Sequence, residues 1–152
     1  MNIEILDYQP QYAIHFEKIN KAWLETYFTM EPIDQYVLEN PKEAILDHGG
    51  AILFAKSEKG IVGAVALKFV EPNVYELTKM GVDLASRGQG IGNQLCAGAL
   101  LKAKKMGANK VILYSNRILE NAIHIYKKLG FQEVALDTVY KRSDIKMEVN
   151  LL

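Results

Sequence analysis

Two stretches, IGNQLCAGALLKAKKMG (91–107) and ILENAIHIYKKLG (118–130), carry apolar residues at helical spacing and close on the same Lys-Lys-x-Gly ending. Lysines in a last turn meet the negative end of the helix dipole. A glycine just beyond it can take the left-handed conformation that stops a helix. Each stretch is followed by a short run, NKVILYS (109–115) or FQEVA (131–135), that reads as a strand. A chain that alternates these elements is confined to the classes that layer helices on a sheet.

Upstream, NIEILDY alternates apolar and polar residues up to Pro10 and reads as a first strand. From Gln11 to about Phe28, the apolar Ala13, Phe16, Ile19, Trp23 and Tyr27 recur at three and four, a helical stripe that Pro32 interrupts. IDQYVLEN is a second short helix ending before Pro41. AILFAKS and GIVGAVALKFV flank the turn signal EKG and form a hairpin; VYELTKMGVD follows Pro72-Asn73 as another strand, and DIKMEVNLL closes the chain. The resulting order is strand, helices, three strands, helix, strand, helix, two strands. It describes a mixed α/β (α+β) sandwich, not a regular βαβ array. With 152 residues and no linker or repeat, one domain spanning 1–152 is expected.

Composition removes several function classes. Lys+Arg and Asp+Glu balance at 18 each, so no global field gathers nucleic acid or an anionic membrane. The only cysteine, Cys96, can form neither an internal disulfide nor a zinc cluster, and His15, His48 and His124 have no metal-like spacing. The first residues, MNIEILDYQP, lack the basic start and apolar run of a signal peptide, and no apolar stretch approaches the roughly 20 residues that cross a bilayer. The expectation is a soluble cytoplasmic domain with no metal, membrane or nucleic-acid partner.

Between the strand VYELTKMGVD and the helix at Ile91 lies SRGQGIG (86–92), with three glycines at alternate positions behind Arg87. The first N–H groups of a helix have no intrahelical partner; with the dipole they form an anion site, and glycines let a phosphate reach the backbone. Arg87 adds a cation suited to phosphate. A Walker loop would need Gly-Lys-Ser/Thr where Asn93 and Gln94 follow Gly92, and the dinucleotide fingerprint would need G-x-G-x-x-G after an early strand. Neither fits. A plain glycine-rich turn remains open on the glycines alone.

The segment Arg87-Gly88-Gln89-Gly90-Ile91-Gly92 resembles the Arg/Gln-x-x-Gly-x-Gly/Ala signature of the GNAT superfamily of acetyl-CoA-dependent N-acetyltransferases. NAIHIYKKLGFQEV resembles its Ala-Ile-x-x-Tyr-x-x-Leu-Gly-Phe segment, and the order of elements from about Gly49 onward matches. The resemblance implies a mixed, mostly antiparallel sheet of about six to seven strands flanked by about four helices. It also implies acetyl-CoA as co-substrate and a small-molecule or peptide amine as acceptor, and it allows a homodimer.

Carried over position by position, the resemblance assigns the pyrophosphate to the amides of Arg87, Gly88, Gln89, Gly90, Ile91, Gly92 and Asn93. Met80 and Val82 would pair with the pantetheine arm, with Gly81 between them leaving room. Asn116 would cap the next helix or bond the cofactor arm; Asn121 reads as a helix-surface residue. Tyr126 would protonate the departing thiolate, or is a packed residue of an amphipathic helix. Reference pKa values of roughly 10 for tyrosine and 8.5 for a thiol make that transfer uphill by about 2 kcal/mol. An acceptor ammonium must lose a proton before attack, and Glu76 is the candidate base, sharing a face with Met80 and Val82 if the strand alternates regularly. Otherwise it is a strand carboxylate paired with a lysine. An amide of the same strand, that of Met80, is the candidate oxyanion donor. Trp23, Glu25, Tyr27 and Phe28 fall where the family builds its acceptor site, or form a core stripe beside a solvated carboxylate. Cys96 reads as a small core residue. The competing function is a sensor module that binds acetyl-CoA without catalysis.

Overall fold

The computed structural model describes residues 2–137 and 140–151. Strand β1 (Glu4–Asp7) precedes helices α1 (Ala13–Tyr27), α2 (Pro32–Glu39) and α3 (Pro41–Ala44). The hairpin β2 (Ala51–Ser57) and β3 (Gly60–Glu71) leads into β4 (Val74–Val82) and α4 (Ile91–Lys105). Then come β5 (Lys110–Ser115), α5 (Glu120–Lys128), β6 (Gln132–Val134) and β7 (Ile145–Asn150). Among the described residues five α-helices stand where about four were expected; the addition is α3, a single turn that Pro41 opens at its first position. The lysine-glycine endings act as read: Gly107 and Gly130 leave α4 and α5 at φ 95° and 100°.

All seven strands form one sheet in the order β1-β2-β3-β4-β5-β7-β6. Only β4 and β5 pair in parallel; the other neighbours are antiparallel. Each face carries its own core. On one, Leu95, Cys96, Ala99 and Ala103 of α4 bury against Val65, Leu67, Tyr75 and Leu77, with Ile123 and Tyr126 of α5 beside them. On the other, Phe16 and Leu24 of α1 and Leu38 of α2 bury against Ile52, Phe54, Ala64 and Ala66. Each fully buried leucine or phenylalanine contributes about 1.5–3 kcal/mol, which anchors α1 and α4 on opposite faces of the central strands.

Two irregularities in the middle of the sheet shape everything that follows. The β4–β5 ladder runs only from Val74–Lys110 to Glu76–Ile112, after which the strands part. In β4, Thr78 pairs with Ala66 and Gly81 with Ala64, so Lys79 and Met80 together oppose one residue of β3. Lys79 takes φ 53°, a left-handed conformation that costs a non-glycine residue about 1–2 kcal/mol. Such a bulge bends and twists its strand, and it lies on the part of β4 that has lost its β5 partner.

Candidate active site

The opening between β4 and β5 is one side of a cavity of about 730 Å³, which extends to the start of α4, one side of α5 and the aromatic end of α1. At one end is the glycine loop. Gly88 and Gly90 sit at φ 80° and 76°, and a Cβ built on either would meet nothing within 4 Å. Backbone demand and open space coincide there, which leaves glycine as the residue type without strain. Among the described residues, the backbone N–H groups of Gly88 through Asn93 have no backbone acceptor; the first helical bond is donated by Gln94 to Gly90. Arg87 stands exposed at the mouth, its Nε donating to the Val82 carbonyl at 3.3 Å. Asn93 adds a buried Oδ1 without a hydrogen-bond partner among the described residues. A run of unpaired amides at a helix start, beside a free buried acceptor, fits the diphosphate and amide-bearing arm of coenzyme A. Gln89 is exposed and does not face the cavity.

The bulge changes the geometry expected of β4. Tyr75 and Leu77 face the α4–α5 core, as do Met80 and Val82 beyond the bulge. Gly81 faces the other way: a Cβ there would lie 2.9 Å from Trp23 Cδ1 and 3.0 Å from Ile19 Cγ2. Glu76 therefore does not share a face with Met80 and Val82, because one extra residue reverses the alternation on which that expectation rested. All three still line the cavity, since it wraps the free edge of β4 and is reached from both faces. The room left by Gly81 is occupied by α1.

Glu76 lies where the strands begin to part, 4% exposed. Burial raises its pKa above the ordinary carboxylate value; a hydrogen bond from Tyr140 and the charges of Lys68, Lys79 and Lys146 hold the rise back. The Tyr140 hydroxyl donates to both carboxylate oxygens, at 3.1 and 3.0 Å. The lysine pairing weighed for Glu76 is not its hydrogen bonding: its partner is a tyrosine 64 positions away.

Tyr126 of α5 lines the same cavity, 7% exposed, with its ring edge-on to Phe131 at 5.8 Å. Burial, with a smaller contribution from Cys96, pushes its pKa well above the ordinary tyrosine value. The shift runs opposite to the lowering that would ease proton donation. Cys96 is buried in the core and its thiol is pushed up to about 12 by burial. Asn116 reaches the cavity with both ends of its amide in use: Nδ2 donates to the Arg142 carbonyl at 2.7 Å and Oδ1 accepts from Ile118 N at 3.0 Å. The N-cap of α5 is Leu119, so Asn116 fixes the turn before the helix and the 140–144 segment across from it.

At the aromatic end of α1, Trp23, Tyr27 and Phe28 line the cavity, whereas Glu25 is exposed outside it. Tyr140, Lys79, Arg142 and Asp34 were absent from the sequence expectations. Tyr140 and Arg142 belong to a segment without periodicity, and their partners lie 64 and 108 positions away, so no local pattern announces them.

The Acetyltransferase (GNAT) family model matches residues 16–131. Mycothiol acetyltransferase of Corynebacterium glutamicum (strain R) is 34% identical over 91 residues, 60% of this chain and 31% of that protein. The match spans about a quarter to a third of the length of these curated mycothiol acetyltransferases. Among solved structures, an acetyltransferase of the GNAT family from Staphylococcus aureus Mu50 superposes with a TM-score of 0.88 at 22% identity, covering 99% of this chain and 100% of that one. PaiA N-acetyltransferase from Thermoplasma acidophilum, solved in complex with coenzyme A, superposes with a TM-score of 0.77 at 23% identity, covering 99% of each chain. At these identities the structural likeness speaks for the fold. No helix among the described residues is long and apolar enough to cross a membrane.

Proposed function

The chain belongs to the GNAT acetyltransferase family, and from that premise we propose that it moves an acetyl group from acetyl-CoA directly to a primary amine in a ternary complex. The observation that carries this reading is the run of unpartnered amides from Gly88 to Asn93, opening onto the same cavity as Glu76 and Tyr126. The loop would hold the diphosphate, with Arg87 at the rim and the unpaired Asn93 Oδ1 accepting from the arm. The free edge of β4 around Met80 and Val82 would pair with that arm.

Glu76 takes the proton of the acceptor ammonium, directly or through water, and the freed lone pair attacks the thioester carbonyl carbon. The Met80 amide receives the oxyanion. As the C–N bond forms and the C–S bond breaks, the electron pair passes to sulfur, where the Tyr126 hydroxyl donates a hydrogen bond to the developing thiolate, and the nitrogen's second proton passes through water to that sulfur. With its pKa raised, Tyr126 keeps its proton until that charge has developed; a hydrogen-bond donor's role suits it better than that of a free acid. A Cys96 thiol at about 12 stays protonated at neutral pH, which supports direct transfer over an acetyl-enzyme. The test is coenzyme A release from acetyl-CoA with a panel of amines, run beside Glu76→Gln and Tyr126→Phe. Amine-dependent release that both substitutions depress supports the reading. Acetyl-CoA binding without transfer to any amine refutes it in favour of a sensor.

A further inference from the structure

At the aromatic end of the cavity lies a charged cluster for which the transfer steps above have no use. Asp34, the third residue of α2 and 2% exposed, accepts from the Glu31 backbone at 3.0 Å through Oδ2. Its Oδ1 accepts from Lys79 Nζ at 3.0 Å and also from the Arg142 guanidinium. Burial alone would raise the Asp34 pKa, but the bonds from Arg142 and Glu31 and the charge of Lys79 hold it below the ordinary value. Two cations thus share one oxygen of one buried carboxylate, one positive charge more than that carboxylate neutralises, while the charge of Lys79 also acts on Glu76.

Asp34 does not face the cavity; Lys79 and Arg142 do, with side chains 15% and 20% exposed. Each spends a single N–H on Asp34, of the three that a lysine ammonium carries and the five of a guanidinium. Neither side chain hangs loosely. Lys79 projects from the bulge at φ 53°, and the Arg142 guanidinium lies 5.7 Å from the centre of the Phe28 ring while Asn116 holds its backbone carbonyl. Strain kept at a cavity wall and a cation seated on an aromatic face are the marks of a preorganised recognition surface.

We propose that Lys79 and Arg142 bind a carboxylate on the acceptor, so that the substrate is a small amine that also carries a carboxylate. The inference rests on the acetyltransferase reading and deepens it. In that arrangement the ammonium meets Glu76 and the carboxylate meets the surplus charge held by Asp34. Trp23, Tyr27 and Phe28 offer an apolar wall for the rest of the molecule. A polyamine would bring its additional positive charges against Lys79 and Arg142, and a peptide N-terminus has no carboxylate beside its amine.

The test uses matched amines with saturating acetyl-CoA: phenylalanine and methionine, their carboxamides, their decarboxylated counterparts, and spermidine. A charge-assisted bond implies that each acid exceeds its amide by at least about tenfold in kcat/KM. Arg142→Gln and Lys79→Gln should each collapse that ratio through KM, with Arg142→Lys retaining part of it. The thermal shift with acetyl-CoA verifies that every variant remains folded. An acid-to-amide ratio that survives both Gln variants overturns the inference. So does an acetyl-CoA-binding enzyme that turns over only carboxylate-free amines, or that accepts none of the acids. No acetyl-CoA shift and no release with any amine overturns the acetyltransferase reading itself, and this inference with it.

Discussion

Replacing Tyr140 by phenylalanine removes one hydroxyl and, with it, both hydrogen bonds to Glu76. Burial raises the Glu76 pKa and this hydroxyl counts first among the groups that hold it down. A hydrogen bond to a charged group is worth about 1.5–3 kcal/mol, which at about 1.36 kcal/mol per unit corresponds to roughly one to two pKa units. Tyr140 is half-buried, so water can replace part of the donor, which sets the expectation near the lower figure, about one unit. The sign is definite: the carboxylate loses a partner of its charged form, so its pKa rises. If Glu76 is the base, the acid limb of kcat/KM moves to higher pH by that amount, since that profile reports the free enzyme. The assay is coenzyme A release under subsaturating amine across pH 5–9, with wild type alongside. A superimposable profile, or a limb displaced to lower pH, would refute either the hydrogen bond's effect or Glu76 as the base.

Three further substitutions perturb Glu76, Tyr126 and Gly81. Glu76→Gln should lower kcat by about 10²–10⁴, the usual contribution of a positioned base. It should also stabilise the fold increasingly with pH: the native pKa is raised, so wild type loses stability as pH rises through it, and glutamine does not. Calorimetric Tm values at pH 5 and pH 8 test this, and a constant gap between the two proteins would contradict it. Tyr126→Phe should reduce kcat about 10–100-fold with little change in acetyl-CoA affinity, read from initial rates and titration calorimetry; unchanged kcat would remove its hydroxyl from the reaction. Gly81→Ala should cost about 1–3 kcal/mol in denaturant unfolding, because its Cβ would overlap Trp23 and Ile19; a neutral outcome would mean α1 yields more easily than its packing implies.

The elements were legible where periodicity and punctuation agree. The hairpin at Glu58–Gly60, the helices with Lys-Lys-x-Gly endings and the glycine loop all stand where local rules put them. The face assignment of Glu76 failed for a reason no alternation pattern contains. The bulge places a lysine at φ 53°, although Thr78-Lys79-Met80 carries no glycine, asparagine or aspartate to signal a left-handed residue. The polar cluster at the aromatic end of the cavity was illegible for a different reason. Asp34, Lys79, Tyr140 and Arg142 come from α2, β4 and the β6–β7 connection, and only the closed fold brings them together. Asn116 shows the limit from the other side: its residue type suggested a cap or a ligand contact, and from the cavity wall its amide also ties two loops together.

The sharpest check on coenzyme A binding at the start of α4 is hydrogen exchange of the loop amides. Without a ligand, the N–H groups of Gly88 to Asn93 have no backbone acceptor and should exchange among the fastest in the protein. Coenzyme A should slow exchange in this stretch and along the unpaired end of β4 near Met80 and Val82, while the hairpin of β2 and β3 is unaffected. Coenzyme A binding that protects other segments and leaves Gly88 to Asn93 exchanging freely would contradict that site, as would no binding at all.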